Sequence, residues 1–306
     1  MNAEWTSMNP TQPPVRRPYQ FPVELKGEPS ATFAGFYYPA EVKRRGILQV
    51  LVHGNSYDHR YWDAGTVNGT SYSYIDYMTI RGFDILAIDL PGVGASSKPN
   101  GYAFSLEGVG RALSALIQSL RRTDSVLQQK FDHITSIGHS MGSSIGVFAE
   151  GNWPAADSLV VTATGYYRGR TASGWPPGTR EKLLETDYAL VPPELRLGFY
   201  HQPSADPEVI AYDNAVLRTP APSGLWSDCI TLRDDPRNGA ADVTCPVYVQ
   251  LGQYDPIMLG EYAEQERNSY SSASKVFIDT LPEMGHSFNL HLNRELSWEG
   301  ICGYYD

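Results

Sequence analysis

The chain has 306 residues, 42% of them hydrophobic and 19% charged, which is the balance of an ordinary globular protein with room for one large or two small domains. Its 34 acidic residues outnumber 24 basic ones and give a net charge of −10, so it lacks the basic footprint that nucleic-acid phosphates require. No run of about 18 apolar residues occurs, which excludes a membrane-spanning helix.

In chain order, residues 1–18 are polar and proline-containing and read as a flexible arm. They carry no apolar signal region, so a cytoplasmic location is expected, with secretion as the alternative reading. YQFPVEL (19–25) and ATFAGFYYP (31–39) carry β-formers around a Lys26-Gly27-Glu28-Pro29 turn and predict an antiparallel pair. GILQVLVHG (46–54) and FDILAIDLPG (83–92) are short, nearly continuous apolar runs, as expected of strands covered on both faces. SYSYIDYMTIRG (71–82) has helical spacing and stops at a glycine.

In 105–122, Ser105 is the expected N-cap, and Leu106, Val109, Leu113, Leu116, Ile117 and Leu120 form one apolar stripe. HITSIGHSMG (133–142) predicts a strand running into a tight turn, SSIGVFAEG (143–151) a helix, and SLVVTATGY (158–166) a strand. Residues 168–242 turn rich in Pro, Gly and Tyr, with short helical pieces and no strand pattern. CPVYVQLGQYD (245–255), LGEYAEQERNSY (259–270), KVFIDTLPEMGH (275–286) and NLHLNRELSWEGI (289–301) then read as strand, helix, strand and helix. The alternation predicts an α/β core over 19–167 and 243–306, with a mostly parallel sheet and 168–242 inserted as a helical lid. The three cysteines, Cys229, Cys245 and Cys302, lack metal-ligand spacing, and a disulfide from Cys302 to Cys229 or Cys245 remains open.

Gly138-His139-Ser140-Met141-Gly142 is a G-x-S-x-G motif between a predicted strand and a predicted helix. That context puts a serine on a strained turn, with flanking glycines admitting the helix close to the strand. A serine hydroxyl needs an imidazole to take its proton and a carboxylate to orient that imidazole. Asp255 in LGQYDPI and His286 in MGHSF follow in the required order, each just past a strand end where ligands bind open α/β sheets. Asp228, Asp234, Asp235 and Asp242 fall in or beside the insertion, and Asp279 falls within a strand. Backbone donors for an oxyanion are expected from Met141 and from Asn55 in VLVHGNSYDHRYWD, with Ser56 as second choice.

His53-Gly54, DLPGVGASS (89–97), GHSMG, LGQYD and GHSFNLH (285–291) together resemble the α/β-hydrolase fold, over nearly all of residues 20–300. Within it, VHGNSYDHRYWD with GHSFNLH is similar to a microbial branch of serine hydrolases of esterase or lactonase type. The resemblance implies an eight-stranded, mostly parallel sheet, a helical lid after the sixth strand, and no cofactor or metal. His53-Gly54-Asn55-Ser56 departs from the HGG or HGGG loop of simple lipases, which withdraws any expectation of bulky tertiary-alcohol esters.

Tyr57, His59 and Trp62 near the oxyanion loop, and Tyr166, Trp175, His201 and Trp226 in or beside the insertion, are candidate substrate contacts; packing is the alternative for each. His139 and His53 are expected to serve packing and their own turn, and Asn289 and His291 to hold the His286 loop. The aromatic insertion suits a medium-sized hydrophobic or aromatic small molecule, and its lack of a Lys/Arg cluster argues against highly anionic ones. The leading expectation is hydrolysis of a carboxylic ester or lactone through an acyl-enzyme. The same residues also suit amide or carbon–carbon hydrolysis, or cyclisation and acyl transfer in natural-product metabolism. A non-enzymatic binding protein is the third reading. A serine at position 140 disfavours haloalkane dehalogenase and epoxide hydrolase chemistry, which needs a carboxylate there.

Overall fold

The computed structural model describes residues 17–25, 31–167 and 176–306. Most of the predicted arm, the 26–29 turn and Trp175 therefore lie outside the described residues. The core is one eight-stranded sheet: β1 (Tyr19–Pro22), β2 (Thr32–Tyr38), β3 (Ile47–Val52), β4 (Asp84–Asp89), β5 (His133–His139), β6 (Ser158–Thr162), β7 (Val247–Gly252) and β8 (Val276–Leu281). Their spatial order is β1-β2-β4-β3-β5-β6-β7-β8. β1 and β2 form the predicted antiparallel pair, β2 runs antiparallel to β4, and every remaining neighbour is parallel.

Alternate side chains of β3 and β4 go to opposite layers, which is why these strands read as unbroken apolar runs. Leu48, Val50, Val52, Leu86 and Ile88 join the layer of α2 (Leu106–Ser119) and α3 (Met141–Asn152). Leu51, Ile85 and Ala87 join that of α1 (Tyr74–Thr79) and α5 (Glu295–Gly303). Ser105 caps α2 by accepting the Gly108 N–H at 3.1 Å, as its sequence predicts. The chain steps from β3 to β4 on one side and to β5 on the other. The resulting switch point puts a crevice at the carboxyl ends of the strands.

Three local expectations are corrected. The helix predicted over 71–82 is a strand, Thr70–Ser73, followed by the shorter α1. Ser73 ends that strand by accepting the Asp76 N–H as N-cap, and the strand pairs with Asp63–Val67 across an Asn68-Gly69 turn. Residues 260–269 form three successive short helical turns rather than one helix; buried Glu266 turns inward and accepts the N–H groups of Tyr166 and Tyr167 at 2.7 and 2.6 Å. The three cysteines are free, so neither disulfide forms.

Within 176–242 the chain forms short helices at Thr179–Leu183, Pro193–Arg196 and Pro207–Tyr212 and the longer α4 (Ser223–Arg233). It also contains a strand pairing that the sequence does not announce, Tyr188–Ala189 with Ala221–Pro222. Its apolar residues join the two core layers: Ala189, Val191, Leu225 and Trp226 pack with the α2/α3 side, and Phe199, Tyr200, Val209 and Leu217 with the other. Among the described residues no helix is long and apolar enough to cross a membrane.

Candidate active site

Ser140 sits between β5 and α3 with φ 52° and ψ −114°. A non-glycine residue held there stores on the order of 1–3 kcal/mol of strain, so its surroundings must fix it. Its N–H donates to Thr162 O on β6 at 2.9 Å. The flanking glycines are required by close approach: a Cβ on Gly138 would lie 2.4 Å from the Ser143 backbone, and one on Gly142 would lie 2.2 Å from Val52 O. The backbone therefore turns as a G-x-S-x-G elbow demands.

His286 follows β8. Its own N–H donates to Phe199 O at 2.7 Å, and its ring is nearly buried. Nε2 of His286 lies 2.8 Å from Ser140 Oγ, and Nδ1 lies 2.8 Å from Asp255 Oδ2. Asp255, fully buried past the end of β7, uses Oδ1 to accept the N–H groups of Ile257 and Met258 at 2.8 and 3.2 Å. With both carboxylate oxygens engaged, the acid is fixed in orientation. The network assigns the imidazole proton to Nδ1 and leaves Nε2 to accept from the serine hydroxyl.

The His286 loop is held from below by His291. Its Nε2 accepts the N–H groups of Gly285 and His201, each at 3.1 Å, and its Nδ1 donates to Ser287 O at 2.9 Å. Burial pushes the His291 ring down from an ordinary value of 6.5 to about 4, so it is neutral as those bonds require. Asn289 Oδ1 accepts the Trp298 indole N–H at 2.8 Å on the same loop. His139 is fully buried and stacks on Tyr61 at 4.3 Å; burial, followed by the nearby His286, pushes its ring well below the usual range. His53 binds its own turn through Gly54 O and accepts the Leu90 N–H.

Ser140 and His286 open on a cavity of about 90 Å³. Its lining includes Asn55 and Met141, the two expected oxyanion donors, and Ser144, Thr164, Phe199, Cys229, Ile230 and Ile257. Met141 opens α3, whose first N–H groups have no acceptor within the helix. The Asn55-Ser56 loop is tied to the 176–242 segment through Ser56 O, which accepts from Arg196 Nη1 at 3.1 Å and from the Thr219 N–H at 3.0 Å.

Of the candidate substrate contacts, Tyr57 and Trp226 line this cavity. Trp175 lies outside the described residues, and the remaining candidates are placed elsewhere, where packing claims them. Trp62 is buried against Tyr61 and Tyr74, and His59 stacks on Phe36 with Nδ1 on Asp89. Tyr166 packs on Tyr270, and His201 stacks on Tyr254. Two residues absent from the sequence-based set, Arg180 and Arg233, also line the cavity. They overturn the expectation that the insertion carries no grouped cations, and their separation in the chain hid them. Among the described residues, the side chains with metal-ligand chemistry that cluster are Asp58, His59 and Asp89. Their atoms are already in use: Asp58 pairs with Arg60, and Asp89 accepts from His59 N and Ala95 N.

The architecture is shared with several solved structures. A soluble variant of monoglyceride lipase from Saccharomyces cerevisiae superposes with a TM-score of 0.70 at 14% identity, covering 96% of this chain and 95% of that one. A thermophilic esterase from Thermogutta terrifontis gives 0.63 at 20% identity, covering 95% and 98%. An esterase from Exiguobacterium antarcticum gives 0.64 at 18%, covering 90% and 96%. At these identities the likeness concerns the fold. No curated protein sequence matches the chain. The model of the alpha/beta hydrolase family matches residues 49–296, and the chain belongs to that family.

Proposed function

We propose that the protein is a serine hydrolase that cleaves a carboxylic ester or lactone through an acyl-enzyme. The observation that carries this reading is the unbroken relay Ser140 Oγ–His286–Asp255, with 2.8 Å at each link, facing a cavity. In the proposed cycle Ser140 attacks the carbonyl carbon while His286 Nε2 takes its proton. Asp255 holds the ring and stabilises the imidazolium. The backbone N–H groups of Asn55 and Met141 stabilise the oxyanion. His286 returns the proton to the leaving alcohol, and water then releases the acyl group by the same steps. Ester cleavage is further supported by neighbours described as esterases and a monoglyceride lipase.

Residues 168–242 serve as the lid in this reading, since Phe199, Trp226 and Ile230 of that segment form part of the cavity wall. The volume of about 90 Å³ is below the roughly 150 Å³ that holds a benzene ring, so in this reading the acyl part of the medium-sized hydrophobic or aromatic substrate is short. The test is hydrolysis of a p-nitrophenyl ester series by the wild type and by Ser140→Ala, His286→Ala and Asp255→Asn. Acetate and butyrate esters should turn over faster than octanoate, and each substitution should lower kcat by about 10³-fold or more. Full activity in Ser140→Ala would reject the reading.

A further inference from the structure

Arg180 and Arg233 face the same cavity as Ser140. One comes from the short helix Thr179–Leu183 and the other from the last turn of α4. No carboxylate is among the described residues that line the cavity, and Met141, Phe199, Trp226, Ile230 and Ile257 make much of the remaining wall apolar. On a low-dielectric wall, a guanidinium group attracts an opposite charge in the cavity more strongly than it would in water. Arg180 Nε is buried with no hydrogen-bond partner. Leaving a buried donor unmet is costly, and a planar carboxylate meets guanidinium N–H groups in pairs. The positive charge is local to the cavity, because the whole chain carries a net charge of −10. It is therefore a feature of recognition at the site and not of long-range attraction.

We propose that Arg180 and Arg233 form a carboxylate subsite, and that the substrate is an ester bearing a free carboxylate a few bonds from the scissile carbonyl, such as a half-ester of a short dicarboxylic acid. This rests on the serine-hydrolase reading above. The cavity volume of about 90 Å³ fits a short spacer between the two groups. The carboxylate makes no bond in the reaction; it orients the acyl chain, with the carbonyl at Ser140 and the anionic end at the arginines.

The test compares initial rates of acid release from monomethyl glutarate and dimethyl glutarate, which differ by one charge. The same measurement is made on Arg180→Gln, Arg180→Lys and Arg233→Gln, with a thermal melt of each. A second arm follows labelling of Ser140 by a fluorophosphonate in the presence of glutarate. The wild type should favour the monoester in kcat/KM by about tenfold or more, the worth of a charge-assisted pair. That ratio should collapse in Arg180→Gln and Arg233→Gln and be partly kept in Arg180→Lys, and glutarate should slow labelling of the wild type more than of Arg180→Gln. A wild-type ratio at or below one, a ratio preserved in both glutamine variants, or labelling indifferent to glutarate would overturn the proposal. Absence of labelling in the wild type would instead remove the hydrolase reading on which it rests.

Discussion

Gly142 shows how much the site depends on single atoms. The N-terminal turn of α3 passes so close to β3 that one added methyl at Gly142 would lie 2.2 Å from Val52 O. Gly142→Ala should therefore destabilise the fold by about 1–3 kcal/mol or more and lower ester turnover in the molecules that still fold. Denaturant melts and turnover on one preparation check this; wild-type values in both would contradict it. His291 gives a pH dependence with a definite sign. Its folded value of about 4 lies below the ordinary 6.5, so below pH 6.5 the unfolded chain binds the extra proton and the folded one resists it. Stability is fully present above pH 6.5 and is lost as pH falls toward 4, at about 1.4 kcal/mol per pH unit for this one group. His291→Gln should flatten that part of a Tm-against-pH curve; an unchanged slope would contradict the role of the ring. Ser140, Asp255 and His286 were legible in the sequence because each lies within a few residues of a strand end and in a fixed order. Arg180 and Arg233 were not, because they lie far apart in the chain and only the fold puts both on the wall of one cavity.

At the scale of elements, the segment before α4 holds a buried ion pair whose arginine also bonds the Asn55-Ser56 loop. Arg196 and Asp213 are both fully buried and bonded to each other; Asp213 Oδ2 also accepts from Tyr200 OH at 2.7 Å, and Tyr57 OH links on to Ser287 Oγ at 2.8 Å. Arg196→Met leaves the Asp213 carboxyl in the interior with hydroxyl donors from Tyr200 and Tyr57 but without its cation, and should cost about 3–5 kcal/mol, whereas Arg196→Met with Asp213→Leu should recover most of that loss. Urea midpoints of the two variants decide it, and a double variant no more stable than the single one would contradict the account. Because Arg196 also holds Ser56 O beside Asn55, the single variant should lose turnover as well as stability. The hairpin over 63–73 had a readable signal in Asn68-Gly69, which adopt φ 49° and 74° as a two-residue turn requires. The helical spacing of the tyrosines just after it hid that signal. α4 was unreadable for a different reason. Trp226, Cys229, Ile230 and Arg233 form one helical face that lines the cavity, and the arginine on that face breaks the apolar stripe by which a buried helix is read.

Across the whole molecule, the strand runs were legible because burial on both faces imposes continuous apolar strands, whereas the switch point appears only in the spatial order of the sheet. The behaviour of 168–242 was less legible, since short helices without a core of their own take their places from the layers they pack on. The described part of the segment rests on both layers and on the cavity wall, and in the proposed mechanism it encloses the acyl group at Ser140. The central claim is that this architecture activates one serine. The most direct test is intact mass after brief exposure to a fluorophosphonate, with peptide mapping of the adduct, on the wild type, Ser140→Ala and His286→Ala. The account predicts one adduct, on Ser140, absent in Ser140→Ala and formed about a hundredfold or more slowly in His286→Ala. No adduct on the wild type, or an adduct on another residue, would contradict it.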